Sequence, residues 1–259
     1  MSTIQIHPTA VVSSRAWLDD DVVVGPYTVI GDNVKIGRGT RVGNFCVIEN
    51  DTTLGARCKV FTGAVIGSIP QDLKFDGSPT ALVIGDNNTI REYVTINIST
   101  SLEHPTRVGH NNLIMAYSHI AHDCRLGDAC ILANGATLGG HVTLGDRVVV
   151  GGLTAIHQFV RMGKLCIVGG CSKVVTDLPP YATCDGHPAR FYSLNLVGLK
   201  RAGVGADAIR NLKAAYKIYF QSGLGKQHAL EQIRKTVPSC PEVDEALAFI
   251  MSSKRGICH

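Results

Sequence analysis

His119, His122, His141 and His157, with Asp123 and Gln158 beside them, are the residues whose types and spacing could do chemistry. Eighteen positions beyond His122 is Gly140, next to His141, and eighteen further is Gln158, next to His157. On a scaffold that repeats every 18 residues, His122, His141 and His157 form a ladder on one edge of three adjacent coils. His119 lies half a turn upstream of the first. A lone histidine on such a scaffold is usually plain surface; three in register with a carboxylate and a carboxamide make a site. Two chemistries fit. A histidine titrating near neutrality can take a proton from a hydroxyl, with a carboxylate such as Asp123 fixing its tautomer. Alternatively, three imidazoles can hold a metal ion. Spacing alone leaves both open. Neighbours on a strand point to opposite faces, so Asp123 can orient His122 only if the pair turns a corner.

The scaffold is legible as a period of six. Counting in sixes from Ile6 meets an aliphatic residue at every step to Ile66. The series resumes from Ile84 to Ile96 and from Val108 to Val174, with Met162 in place of an aliphatic; Asp72 and Ser78 are its polar members. This is neither the 3.6 of a helix nor the plain 2 of a strand. It marks a solenoid in which each hexad supplies one short strand and one turn. The residue after the aliphatic is often glycine, as expected where a corner needs a φ that other residues resist. The residue four places on is small or β-branched, as at Ala10, Thr28, Cys46, Ala64, Cys124 and Thr154. Three hexads make one triangular coil. About ten coils fit between residues 1 and 180, a prism about 45 Å long at the usual strand spacing. The expected fold is mainly β, a parallel β-helix over residues 1–186, followed by a small α-helical domain over 187–259.

Composition narrows the setting. The 259 residues include no charged-then-apolar leader and no apolar run long enough for a membrane span. We therefore expect a cytoplasmic protein with no membrane insertion. Of the nine cysteines, Cys46, Cys58, Cys124, Cys130, Cys166 and Cys184 share the small-residue column. They read as stacked core thiols in a reducing compartment. The net charge of +4 is uneven: residues 190–259 carry 11 Lys/Arg against 5 Asp/Glu. A basic end suits an acidic macromolecule or a phosphorylated substrate.

The hexads stop near Asp177-Leu178-Pro179-Pro180, where two prolines end pairing. Helical spacing takes over at Ile209, Leu212, Tyr216, Tyr219 and Phe220, at Leu230, Ile233 and Val237, and at Val243, Leu247, Ile250 and Met251. Gly223, Gly225, Pro238 and Pro241 punctuate these stretches. Two segments interrupt the prism: 68–80, with Gln71, Asp72 and Lys74, and 97–107. Loops ejected from a solenoid tend to be functional, and its flat faces and open edge invite oligomers.

The stretch His119-Ile120-Ala121-His122-Asp123-Cys124, followed by Gly139-Gly140-His141, His157-Gln158-Phe159 and Gly169-Gly170-Cys171-Ser172, resembles the UDP-N-acetylglucosamine O-acyltransferases of lipid A biosynthesis. The loop Pro70-Gln71-Asp72-Leu73-Lys74 and the exit Leu194-Asn195-Leu196-Val197-Gly198-Leu199-Lys200-Arg201 are similar too, so the likeness spans the whole chain. It implies a left-handed helix, assembled as a homotrimer with sites between neighbouring prisms. It implies His122 as general base toward the sugar 3-hydroxyl, Asp123 as its orienter, and the Gly140 N–H as oxyanion donor. His119, His141, His157 and Gln158 would line the pocket. Gln71, Asp72 and Lys74 would close over it. Asn195 and Arg201 would hold the uridine diphosphate end. The partners implied are UDP-N-acetylglucosamine and a 3-hydroxyacyl group on acyl carrier protein, with no nucleic acid and no cofactor.

Some positions depart from the family pattern. Val197 stands where an acidic residue is common, Ala202 where a second arginine is common, and Pro188 in place of a histidine associated with acyl-chain measurement. The segment Thr95–Thr100 lacks the family's usual His/Asn-Arg-Gly. These changes leave acyl length open, and whether the acceptor carries a 3-hydroxyl or a 3-amino group. The competing readings are a sibling N-acyltransferase, which carries a globular domain before its prism, a zinc-dependent hydratase on the same scaffold, and a structural prism without activity.

Overall fold

A computed structural model describes residues 3–49 and 51–259. The hexads wind into a left-handed parallel β-helix of triangular section. Its three faces carry 11, 9 and 8 strands among the described residues. The first begins at Gln5–Ile6, the second at Val11–Val12 and the third at Trp17–Leu18. Most strands are two residues long, one residue pointing in and the next out. The inward residue is the aliphatic of each hexad, and Ile30, Ile48, Ile66, Ile96, Ile120, Leu138 and Val150 are all buried in one continuous core.

Adjacent coils pair 18 residues apart, as in Val149↔Ile167. Across the first ejected loop the offset is 30, as in Lys59↔Thr89, and across the second it is 24, as in Thr95↔His119. The insertions therefore add two hexads and one, which is why the count in sixes never loses phase. Both loops leave at the corner between the second and third faces: Val65–Ser68 leads to Ala81–Ile84, and Thr95–Asn97 to Thr106–Val108.

The glycine column has a different cause from the one expected. Gly25, Gly43, Gly139 and Gly145 do not have positive φ; the left-handed residue comes two places later and is usually not glycine, as at Tyr27, Phe45, His141 and Arg147. What the glycines provide is room. A Cβ on Gly25 would lie 2.6 Å from the Gly43 carbonyl oxygen, and one on Gly139 2.8 Å from the Gln158 nitrogen. At these corners successive coils stack too closely for a side chain.

The small-residue column has an equally specific task. The Thr28 hydroxyl donates to Gly43 O at 2.7 Å and Thr154 to Gly169 O at 2.8 Å, each fifteen residues ahead. The thiols of Cys124 and Cys130 do the same to Gly139 O and Gly145 O, both at 3.2 Å. Each hydroxyl or thiol thus satisfies a corner carbonyl that turns into the core. Burial pushes both thiols up to about 12, so they stay protonated and keep donating.

After the last coil the first face ends in a hairpin, Ala182–Gly186 against Ala189–Leu194. The segment beyond 187 therefore opens with a strand. Helices follow: α1 (Leu196–Arg201), α2 (Ala206–Gln221), α3 (Lys226–Thr236) and α4 (Pro241–Ser252). The spacing anticipated the last three; α1, only six residues long, has too few for a period. The Phe191 ring stacks on Phe220 with centroids 4.0 Å apart, joining hairpin to helices. The chain end returns to the prism. Buried Asp177 accepts from Arg161 N at 2.8 Å and from Ser253 Oγ at 2.8 Å, and Asp177 N donates to Gly256 O. The tail thereby covers the open end of the solenoid.

Candidate active site

His122 and Asp123 turn the corner from which, on the two preceding coils, the loops are ejected. Asp123 is left-handed, φ +60°, a conformation that aspartate tolerates better than most residues. The turn swings both side chains to the same side and removes the objection that neighbours diverge. His122 Nδ1 and Asp123 Oδ2 are 2.7 Å apart, with side-chain exposures of 13% and 8%. An ionised Asp123 accepts only, so Nδ1 carries a hydrogen, and in the neutral ring the lone pair is on Nε2. Burial pushes the Asp123 carboxyl up, yet hydrogen bonds from His122 and Thr100 and the charge of His141 hold it below its ordinary value.

Gly140 lies directly against this imidazole. A Cβ there would sit 2.6 Å from His122 Cε1 and 2.7 Å from Nε2. Only glycine leaves the lone-pair side of the ring open. Among the described residues, the Gly140 N–H has no acceptor.

One coil further, His141 meets His122 edge-on with centroids 5.2 Å apart, and its Nε2 is 3.6 Å from Asp123 Oδ2. Burial lowers the His141 pKa, and the charges of Asp123 and Asp72 oppose that shift. The next rung is not His157 but Phe159, stacked on His141 at 4.4 Å. His157 shares the corner two residues earlier in its coil, exposed, with Nδ1 3.1 Å from Gln158 O; Gln158 is exposed too. His119, half-buried on the second face, pairs through Nδ1 with Thr95 Oγ1 at 2.7 Å, and burial lowers its pKa. In the first loop Gln71 and Lys74 are exposed, and Asp72 Oδ1 accepts the Lys74 N–H at 3.0 Å.

Among the described residues, the set that could hold a cation is His122, Asp123 and His141, whose ligand atoms lie within 4.8 Å of one another. That is two imidazoles and a carboxylate rather than the three imidazoles read from the sequence, and the carboxylate already serves His122 and Thr100.

Comparison with known proteins gives this geometry its family. A family model described as UDP N-acetylglucosamine O-acyltransferase, domain 2, matches residues 177–258. Bacterial transferase hexapeptide repeats match 15–50 and 105–140. The chain is 50% identical over 255 residues to the acyl-[acyl-carrier-protein]–UDP-N-acetylglucosamine O-acyltransferase of Thermodesulfovibrio yellowstonii, covering 98% of this chain and 99% of that one. It belongs to that family. The member from Thiobacillus denitrificans is 49% identical over 253 residues, covering 97% and 98%. Among solved structures, the UDP-N-acetylglucosamine acyltransferase of Campylobacter jejuni superposes with a TM-score of 0.91 at 42% identity, and that of Bacteroides fragilis with 0.95 at 37%. Each comparison covers 98% of this chain and 99% of the other. The family, rather than the spacing of the histidines, gives acyl transfer precedence over metal-dependent hydration.

Two of the expected site residues stand apart from His122. Asn195 is buried, with both ends of its carboxamide engaged: Nδ2 donates to Leu165 O at 2.9 Å, and Oδ1 accepts from Gly198 N at 2.8 Å, capping α1. It fixes the start of the helix whose last turn carries Arg201, which is exposed. Leu165 belongs to the corner between the third and first faces, not the corner of His122. Thr100, Thr106 and Phe159 touch the His122–Asp123 pair or its neighbour His141 and were not anticipated. Thr100 comes from an ejected loop, whose path in space the count of six does not give, and Thr106 from its return strand; Phe159 differs from His157 by two residues of corner geometry.

Proposed function

We propose that this chain transfers a 3-hydroxyacyl group from acyl carrier protein to the 3-position of UDP-N-acetylglucosamine, the first step of lipid A biosynthesis, with His122 as general base. The observation that carries the reading is the His122 Nδ1–Asp123 contact at 2.7 Å, which leaves Nε2 free beside Gly140. Nε2 takes the proton of the sugar 3-hydroxyl as that oxygen attacks the thioester carbonyl. The tetrahedral oxyanion is held by the Gly140 N–H. Collapse breaks the carbon–sulfur bond, and His122 returns its proton to the departing thiol of the carrier, so no charge remains on the enzyme.

His119, His141, His157 and Gln158 line the approach on this reading, while Gln71, Asp72 and Lys74 fold over the bound sugar from the loop. Arg201 binds the diphosphate, for which a guanidinium is suited, with Asn195 setting its helix. The prism, residues 1–186, carries the chemistry, and the basic helical part, 187–259, faces the acidic carrier. His122 lies at one corner and the cap of the helix that carries Arg201 is bonded at another, which supports a site assembled between copies of a homotrimer. Among the described residues no helix is long and apolar enough to cross a membrane, and the thiols that serve as carbonyl donors suit the reducing cytoplasm.

The test is acyl transfer from a panel of 3-hydroxyacyl carrier proteins to UDP-N-acetylglucosamine and its 3-amino analogue, with wild type and His122→Ala. Turnover of the variant should fall at least about a hundredfold, and a chelator should leave wild type unaffected. Near-normal turnover in the variant removes His122 from the chemistry. Loss of wild-type activity to chelator, restored by zinc, favours the metal reading.

A further inference from the structure

Asp123 can orient His122 only if its own carboxylate is fixed. The side chain rotates about two bonds, and two histidines are within reach of Oδ2: His122 at 2.7 Å and His141 at 3.6 Å. Thr100 removes that freedom. Its N–H reaches Oδ1 at 3.1 Å and Oδ2 at 3.3 Å, and its hydroxyl donates to Oδ2 at 2.8 Å. Oδ2 is thus pinned between a hydroxyl on one side and the imidazole on the other. Thr106 accepts the Asp123 N–H at 2.8 Å and holds the backbone of the same residue.

Thr100 does not belong to the repeat. It stands in the second ejected loop, whose base is tied to the first. Ile98 N donates to Ser68 O at 2.9 Å, Asn97 Nδ2 to Ile69 O at 3.0 Å, and Ser99 N to Ala81 O at 3.2 Å; the Thr80 hydroxyl bonds Ser99 O. A chain of hydrogen bonds therefore runs from the first loop's ends through the second loop to the carboxylate.

We infer that Thr100 is a positioning residue for the acyl transfer: it clamps the Asp123 carboxylate so that His122 holds its hydrogen on Nδ1 and presents Nε2 to the acceptor. The second loop is then more than a wall of the pocket, because it supplies the part that makes the repeat's histidine–aspartate pair competent. The inference rests on the base-and-orienter reading above.

The test compares Thr100→Val, Thr100→Ala, Thr100→Ser, Asp123→Asn and the double variant Thr100→Val/Asp123→Asn in the same transfer assay. Valine keeps the bulk and the backbone N–H but loses the hydroxyl. It should lower kcat about tenfold, with KM for the nucleotide sugar changed by less than about twofold. Alanine should follow valine, and serine should recover kcat to within about twofold of wild type. In the Asp123→Asn background, Thr100→Val should cost nothing further, since the group it positions is already gone. A rise in KM at unchanged kcat, a serine variant as impaired as valine, or an undiminished loss in the double variant overturns the inference alone. Wild-type turnover in Asp123→Asn overturns the underlying reading as well.

Discussion

The α-carbon of Gly140 bears no substituent because the His122 ring occupies that space. A methyl at 140 would come 2.6 Å from Cε1, so either the imidazole leaves Asp123 or two coils part. The ring is the softer element: it is held by one hydrogen bond, while the coils are held by the whole ladder. Gly140→Ala should therefore lower kcat by roughly a hundredfold, the scale of a misplacement near 1 Å, with little change in the melting temperature. Comparing turnover with thermal unfolding of the same preparation checks this. Equal activity would mean that the ring is free to move without loss, and that the pair at 2.7 Å is not the working geometry. At this scale the sequence offers residue types but not contacts. Two histidines and a carboxylate one coil apart were legible; that Phe159 and not His157 stacks on His141 depends on which corner residue turns left-handed.

At the scale of the element, the hexad is a strand of two residues plus a corner with a carbonyl to satisfy. The inward Thr, Ser or Cys of one coil supplies the donor for the next, which makes that column a hydrogen-bonding column and not only a small one. Thr154 is fully buried and donates to Gly169 O at 2.8 Å. Thr154→Val keeps the shape and strands that carbonyl. The expected cost is about 1–3 kcal/mol, read as a lowered midpoint in chemical or thermal unfolding with turnover per folded molecule unchanged. Thr154→Cys, which restores a donor of the kind present at Cys124, should recover most of it. Loss without recovery would assign the effect to packing instead.

For the whole molecule, the decisive separation is between His122 on one corner and Arg201 at the end of α1, whose cap is bonded to another. If sites form between copies, two defective chains can repair one another. Co-expressed His122→Ala and Arg201→Ala chains, each inactive alone at low nucleotide-sugar concentration, should assemble mixed trimers. Roughly one interface in four would then pair an intact His122 with an intact Arg201 under random mixing. Recovered transfer together with a trimer mass by light scattering checks the assembly. Silence from a well-mixed trimer would put both residues in the site of a single chain.

The period of six by itself determined the coil, the inward column and the phase, because a solenoid core is one-dimensional and each residue's place follows from counting. The insertions of two hexads and one kept that count valid across both loops. Counting ends wherever the chain leaves the stack. The grip of Thr100 on Asp123, the capping of α1 by Asn195 and the return of the tail to Asp177 join residues far apart in the chain. Only the tertiary structure decided them, since no local period encodes where an excursion comes back. The same limit governs the glycine column. Its spacing was visible in the sequence, but its cause, the close approach of one coil to the next, exists only once the coils are stacked.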